Sequence, residues 1–180
     1  MGKKSTKENK NIYQISRENM GYTREKASEE LGHISADRIE KIESEKSLPH
    51  PDEILTMSEC YKTPTLCNYY CSHECPIGQQ YVPEVPVKDL SKIILEMLAS
   101  LNSLNKKKDR LIEITSDGVI HDDEIHDFVV IQNELEKISI AVEALQLWVE
   151  TTIVNNELDK TKLDAIKEEI DRCKRLRLQV

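Results

Sequence analysis

Four cysteines, Cys60, Cys67, Cys71 and Cys75, fall within 16 residues as C-x6-C-x3-C-x3-C. Thiolate sulfur is the protein ligand for zinc and for iron–sulfur clusters, and four sulfurs close a structural site. Helical spacing sets Cys67, Cys71 and Cys75 on one face, with His73 nearby, so Cys60 must fold back for all four to meet one metal. The C-x2-C knuckle of common zinc ribbons is absent. Two other uses suit the same residues. Small apolar cysteines can pack a short helix against its neighbours, and low-pKa thiols can sense oxidants. Packing, a zinc or iron–sulfur cofactor, and redox sensing all stay open at this level. Glu113 to Glu124 has calcium-loop spacing, but Glu113 and Thr115 stand where a calcium loop needs Asp and a second oxygen donor. A connection between two helices is expected there instead. No phosphate-cradling glycine loop, nucleophile elbow or H-E-x-x-H is present, so no catalytic residue and no enzymatic activity are expected.

The elements that would position such groups read as helices. Residues 11–62 break into short segments at Gly21, Gly32, Pro49 and Pro51, and residues 60–88 hold four of the six prolines. Residues 89–180 contain no proline and one glycine, Gly118. There Leu90, Ile94, Met97, Leu101, Leu104, Lys108 and Leu111 step by four and three, as do Phe128, Ile131, Leu135, Ile138, Val142, Leu145 and Val149. A shorter run, Leu163, Ile166, Ile170 and Cys173, repeats the pattern. Such spacing puts one apolar seam along each helix, as in coiled coils and bundles. The spacing predicts an antiparallel hairpin that turns at Asp117-Gly118, with Asp122, Asp123 and Glu124 in the first turn of its second helix, followed by a third helix over about 159–177. The seam needs a partner, from within the chain or from a second copy.

Composition bounds the class. The 180 residues carry 25 Lys+Arg against 33 Asp+Glu, and aromatics make up 4% with one Trp and one Phe. Few turn glycines and few aromatics exclude a sandwich or barrel, so the fold is expected to be all-α. No apolar run reaches the roughly 20 residues that span a bilayer. No secretory h-region of about 7–15 residues opens the chain, so a reducing, cytoplasmic setting is expected, in which a disulfide framework would not form. Met1-Gly2 with Thr6 fits the short myristoylation pattern, yet Lys3, Lys4, Lys7 and Lys10 read better as a solvated basic arm. The net charge of −8 divides unevenly: 10 basic against 12 acidic residues over 1–60 leave −2, so 61–180 carry −6.

The run NIYQISRENMGYTREKASEELGHISADRIEKIESEKSLPHPDEILTMSECYK, about residues 11–62, resembles the phage repressor/Cro-like (XRE-type) helix-turn-helix family. The resemblance rests on several short motifs. Arg17-Glu18 ends a first helix and Gly21-Tyr22-Thr23 opens a second, which Ala27 with Leu31-Gly32 closes. Arg38-Ile39-Glu40-Lys41-Ile42-Glu43 resembles a recognition helix ending in its buried-turn glutamate. Thr23 and Ser35 can each cap a helix N-terminus. This chain departs from the pattern by one extra residue near His33-Ile34, by Glu45 where glycine is common, and by Arg24 where glutamine is typical. Asp37 and Glu40 add negative charge to the recognition helix. The run LCNYYCSHECPIG is similar to a cysteine-rich insert of some bacterial regulators of this type.

The resemblance implies four or five short helices that bind double-stranded DNA. Arg24, Arg38 and Lys41 would set position on the phosphates, and Ser35, Ala36 and Asp37 would approach base edges. The expected organisation is a basic arm over 1–10, a helix-turn-helix domain over 11–62, a Cys/Pro-rich short helix and linker over 63–88, and a helical hairpin with a third helix over 89–180. The last part would form a homodimer or bind a protein partner. The alternative is a non-DNA-binding adaptor that reuses the fold for protein contact.

Overall fold

The structure, a computed structural model, describes residues 10–177, with side chains through residue 172. It is all-helical, with no strand among the described residues. The helices are α1 (Ile12–Asn19), α2 (Arg24–Leu31), α3 (Ala36–Glu43), α4 (Pro51–Cys60), α5 (Thr65–His73), α6 (Gly78–Tyr81), α7 (Leu90–Ile114), α8 (Ile125–Val154) and α9 (Lys160–Arg177). No helix among the described residues is long and apolar enough to cross a membrane. Lys3, Lys4 and Lys7 of the basic arm lie outside the described residues, as does the side chain of Cys173. Lys10 reaches Glu18 at 2.6 Å.

The short helices start where a side chain can accept an otherwise unpaired backbone N–H. Asn11 caps α1 through the Gln14 N–H, Thr23 caps α2 through the Lys26 N–H, and Ser35 caps α3 through the Arg38 N–H. Helices of 8 to 10 residues are not stable alone, so their cohesion must come from packing. Tyr13, Ala27, Leu31, Ile34, Ile39, Ile42, Ile54, Met57, Tyr61 and Leu66 form one buried core. Leu66 belongs to α5 and is fully buried, so the core runs past the boundary expected at residue 62 and takes in the cysteine-rich helix. Tyr13 of α1 donates to Glu74 at 2.9 Å and meets Tyr69 edge-on, and Tyr69 stacks on His73. Gly78 opens α6 against the backbone of Cys71, where an added Cβ would lie 2.0 Å from the carbonyl oxygen. Only glycine permits that approach.

The segment after α6 is extended and is held from both sides. Asn68 of α5 donates to the Pro83 carbonyl at 3.1 Å and accepts the Val85 N–H at 2.9 Å. One side-chain amide thus acts as a neighbouring strand would. Val85 then packs with Ile93 of α7 and Ala144 of α8, and Leu145, Leu147 and Trp148 close the cluster. This junction sets the five-helix body beside the start of α7 and the end of α8.

Helices α7 and α8 form the hairpin. Gly118 takes the left-handed φ of 77° at the turn, as expected. The expected first-turn carboxylates instead precede the helix, because α8 begins at Ile125 with Glu124 as its cap residue. Arg110 bonds Asp127 at 2.8 Å, and Lys107 lies 3.8 Å from Glu134; these pairs set the register. The seam is rotated from the expected one. Ile93, Ser100 and Ile114 are buried on α7, whereas Leu90 and Leu101 are exposed. On α8, Ile131, Ala141, Ala144 and Thr152 are buried, whereas Leu135 and Val142 are exposed. Small side chains at Ser100, Ala141 and Ala144 let the helices approach closely, so the contact follows shape as well as apolarity.

Candidate nucleic-acid interface

Helices α2 and α3 are joined by residues 32–35. Gly32 adopts φ 73°, its N–H bonding the Ser28 carbonyl, and this left-handed step turns the chain out of α2. Ile34 then points inward and is buried, while His33 stays exposed. After α3, Glu45 sits at φ 59°, a left-handed backbone that glycine adopts most readily.

The buried Glu43 carboxylate ties α3 to α1 and α2. Arg17 Nε donates to Glu43 at 2.5 Å, its Nη2 donates to the other oxygen at 3.0 Å, and its Nη1 donates to the Tyr22 carbonyl. Arg24 Nε also reaches Glu43, at 2.8 Å. Burial pulls the Arg17 guanidinium down, but hydrogen bonds and attraction to Glu43 outweigh it and hold the cation firmly charged. Glu43 is therefore the buried glutamate that the resemblance implied, and it joins α1, α2 and α3.

The structure gives Arg38 partners other than a phosphate-reaching role requires. Its Nε and Nη2 donate to the two Glu53 oxygens at 2.7 and 2.6 Å, Nη1 donates to Ser47, and Nη2 also reaches the Leu48 carbonyl. Burial pulls the Glu53 carboxyl up, but Arg38 and the His50 N–H outweigh it and hold it below the usual range. Glu53 also accepts that His50 N–H at the start of α4, so Arg38 ties α3 to the α4 N-terminus. Arg38 is a positioning residue here. Arg24 is likewise drawn inward.

Of the remaining expected reading residues, Ser35, Asp37 and Lys41 are exposed and Ala36 is half-buried. Ser35 caps its helix and keeps its hydroxyl proton to donate. Lys41 makes no ion pair among the described residues, whereas Glu40 is paired with Lys46 at 3.1 Å. The outer row of α3 is thus open to solvent and uncovered by the hairpin, with one free cation beside one free carboxylate. Glu53 and Ser47, which decide what Arg38 does, carried no sequence signal of that role.

The cysteines stand apart from this face. Cys67 and Cys71 occupy successive turns of α5, Cys75 lies beyond its end and accepts the Gly78 N–H, and Cys60 ends α4. All four are free thiols, and Cys60 and Cys67 pack against the buried core. Among the described residues no three His, Cys, Asp or Glu side chains converge to hold a metal ion. The four-sulfur arrangement that zinc or an iron–sulfur cluster needs is not formed, because α5 keeps its cysteines in a row and Cys60 faces the bundle. Burial pushes the Cys71 thiol up, with Cys75 and Cys67 adding to it, and burial with Glu30 does the same to Cys60. Raised thiols are poor nucleophiles and poor oxidant sensors. Packing is the role this geometry supports for Cys60 and Cys67.

Comparison with protein-family models, curated proteins and solved structures gave no match.

Proposed function

We propose that this chain is a DNA-binding transcription regulator that acts as a homodimer in the cytoplasm. Its N-terminal body would read double-stranded DNA through α3, and its C-terminal helices would associate. The observation that carries the reading is the α2–turn–α3 unit: two capped helices, a left-handed Gly32, a buried Glu43 latch, and an α3 outer row left exposed among the described residues. In this reading Lys41 contacts phosphate, and Ser35, Ala36 and Asp37 face base edges, where a carboxylate accepts from cytosine. Arg24 and Arg38 hold the reading helix in place.

The test is selection from a random duplex pool followed by binding against salt. Enrichment of a defined sequence is expected, with Lys41→Ala weakening binding to all duplexes and reducing the salt slope by about one. A pool that shows no enrichment, with binding indifferent to Lys41, ends the reading. One observation favours a protein-contact adaptor instead: the internal pairing of Arg24 and Arg38 leaves the α3 face close to neutral. In that case the same pool stays unselected at low salt.

A further inference from the structure

We propose that a second copy of this chain covers one face of the α7–α8 hairpin, the two hairpins forming a four-helix bundle with its two-fold axis parallel to the helices. This takes up the dimer half of the preceding reading and names its surface.

The apolar stripes of both helices are wider than their mutual contact uses. On α8, Leu135 and Val142, seven residues apart, are 47% and 40% exposed, while Ala141 is buried beside Ile93 and Ser100 of α7. On α7, Leu90 and Leu101 are 36% and 42% exposed, while Ile93 and Ser100 are buried against α8. At 3.6 residues per turn, each exposed row stands roughly a quarter-turn round from the contact line, in the same rotational sense. In an antiparallel pair, equal rotations in the same sense come out on the same side. The two rows therefore form one apolar face, bordered at Leu135 by the chain's own residues 79–83. The opposite side is covered at one end, where Val85 of the linker packs with Ala144, Leu147 and Trp148.

Charge selects the occupant and its orientation. Helix α7 carries five Lys or Arg against three Asp or Glu, a net +2. Helix α8 carries five Asp or Glu against one Lys, a net −4. A copy turned about an axis parallel to the helices sets the basic α7 of each chain on the acidic α8 of the other. A two-fold contact must be self-complementary, and the opposite net charges of α7 and α8 meet that condition in this arrangement. An in-plane axis across the helices would instead set α7 on α7 and α8 on α8, like charge on like. The parallel axis has a further consequence. Asn68 and Val85 hold the five-helix body beside the start of α7 and the end of α8, so both bodies emerge at one end of the bundle. Two reading helices at one end can meet two half-sites on one duplex.

Light scattering during size-exclusion chromatography of the full chain tests this, with circular dichroism as the control for folding. The wild type is expected at twice 20.8 kDa. Leu101→Glu with Val142→Glu is expected at the monomer mass with helicity unchanged. The milder pair Leu101→Gln with Val142→Gln is expected to raise the dimer Kd roughly tenfold or more. Raised salt weakens the dimer if α7 lies on α8. A wild-type monomer overturns the proposal, as does a dimer whose Kd ignores both hairpin pairs. So does a dimer lost through Ile166→Glu with Ile170→Glu alone, which would make α9 the occupant. The readout uses no DNA. A dimer that selects no duplex keeps this interface and removes the regulator reading, and a monomer that selects one does the reverse.

Discussion

The five-helix body and the hairpin reach stability by different routes. In the body, helices of 8 to 10 residues cross at several angles, and each is tied to others by a buried or half-buried polar latch: Arg17–Glu43, Arg38–Glu53, Tyr13–Glu74. In the hairpin, helices of 25 and 30 residues run alongside each other, with register pairs near the surface. Short helices contribute little of their own stability, so the body depends on contacts between residues distant in sequence. Long helices propagate locally and tolerate a partly uncovered stripe. The body should therefore fail as a unit when one latch is cut, and the hairpin should fray by turns.

The sharpest way to break this comparison is Glu43→Ala. It leaves Arg17 buried without its carboxylate, and removing one partner of a buried pair costs about 3–5 kcal/mol. Hydrogen exchange should show protection lost across α1 to α5 while α7 and α8 keep theirs. If the hairpin loses protection together with the body, the two are one cooperative unit and the comparison is void.

Asn68→Ala cuts the link between the regions instead. Two hydrogen bonds to the 83–85 segment disappear, at a net cost of about 1–3 kcal/mol to local order. Trypsin should then cleave after Lys88 faster, with the melting of the body nearly unchanged. An unaltered cleavage rate would show that Val85 packing alone holds the segment.

The smallest effect has the opposite sign. Glu45 holds a left-handed backbone that costs a non-glycine residue roughly 1–2 kcal/mol. Glu45→Gly should stabilise the body by about 1 kcal/mol or less, after the entropy that glycine adds to the unfolded chain. The reading is a higher urea midpoint at constant slope. A lower midpoint would mean that the Glu45 side chain contributes more than its backbone loses.

These contrasts also explain what was legible in the residues. Thr23 and Ser35 announced two helix starts and Gly118 the hairpin turn, because each is a local rule with one dominant solution, whereas the Glu43 latch to Arg17 crosses 26 residues. The α7 seam was not legible, since Ile93 and Ile94 stand side by side and both continue a four–three pattern. Which row faced α8 depended on Ser100, Ala141 and Ala144, whose small size permits close approach and which a search for apolar residues passes over. The role of α5 was hidden by its cysteines, which draw attention to metal chemistry while Leu66 and Asn68 between and beside them do the joining. On α3, helix geometry was foreseeable but the partners of Arg38 were not. Its bond to Glu53 crosses 15 residues and depends on how α4 starts.

The chain's single tryptophan, Trp148, stands half-buried where the linker crosses α8, beside Val85. Indole emission shifts with the polarity around the ring, so the molecule carries its own optical gauge at the joint between its two regions. A swing of one region against the other would change the colour and intensity of that signal with no dye attached. The six tyrosines, concentrated in the five-helix body and the segment that leaves it, absorb at shorter wavelength and can pass excitation to the indole. Energy transfer between them would then report how closely the halves are held.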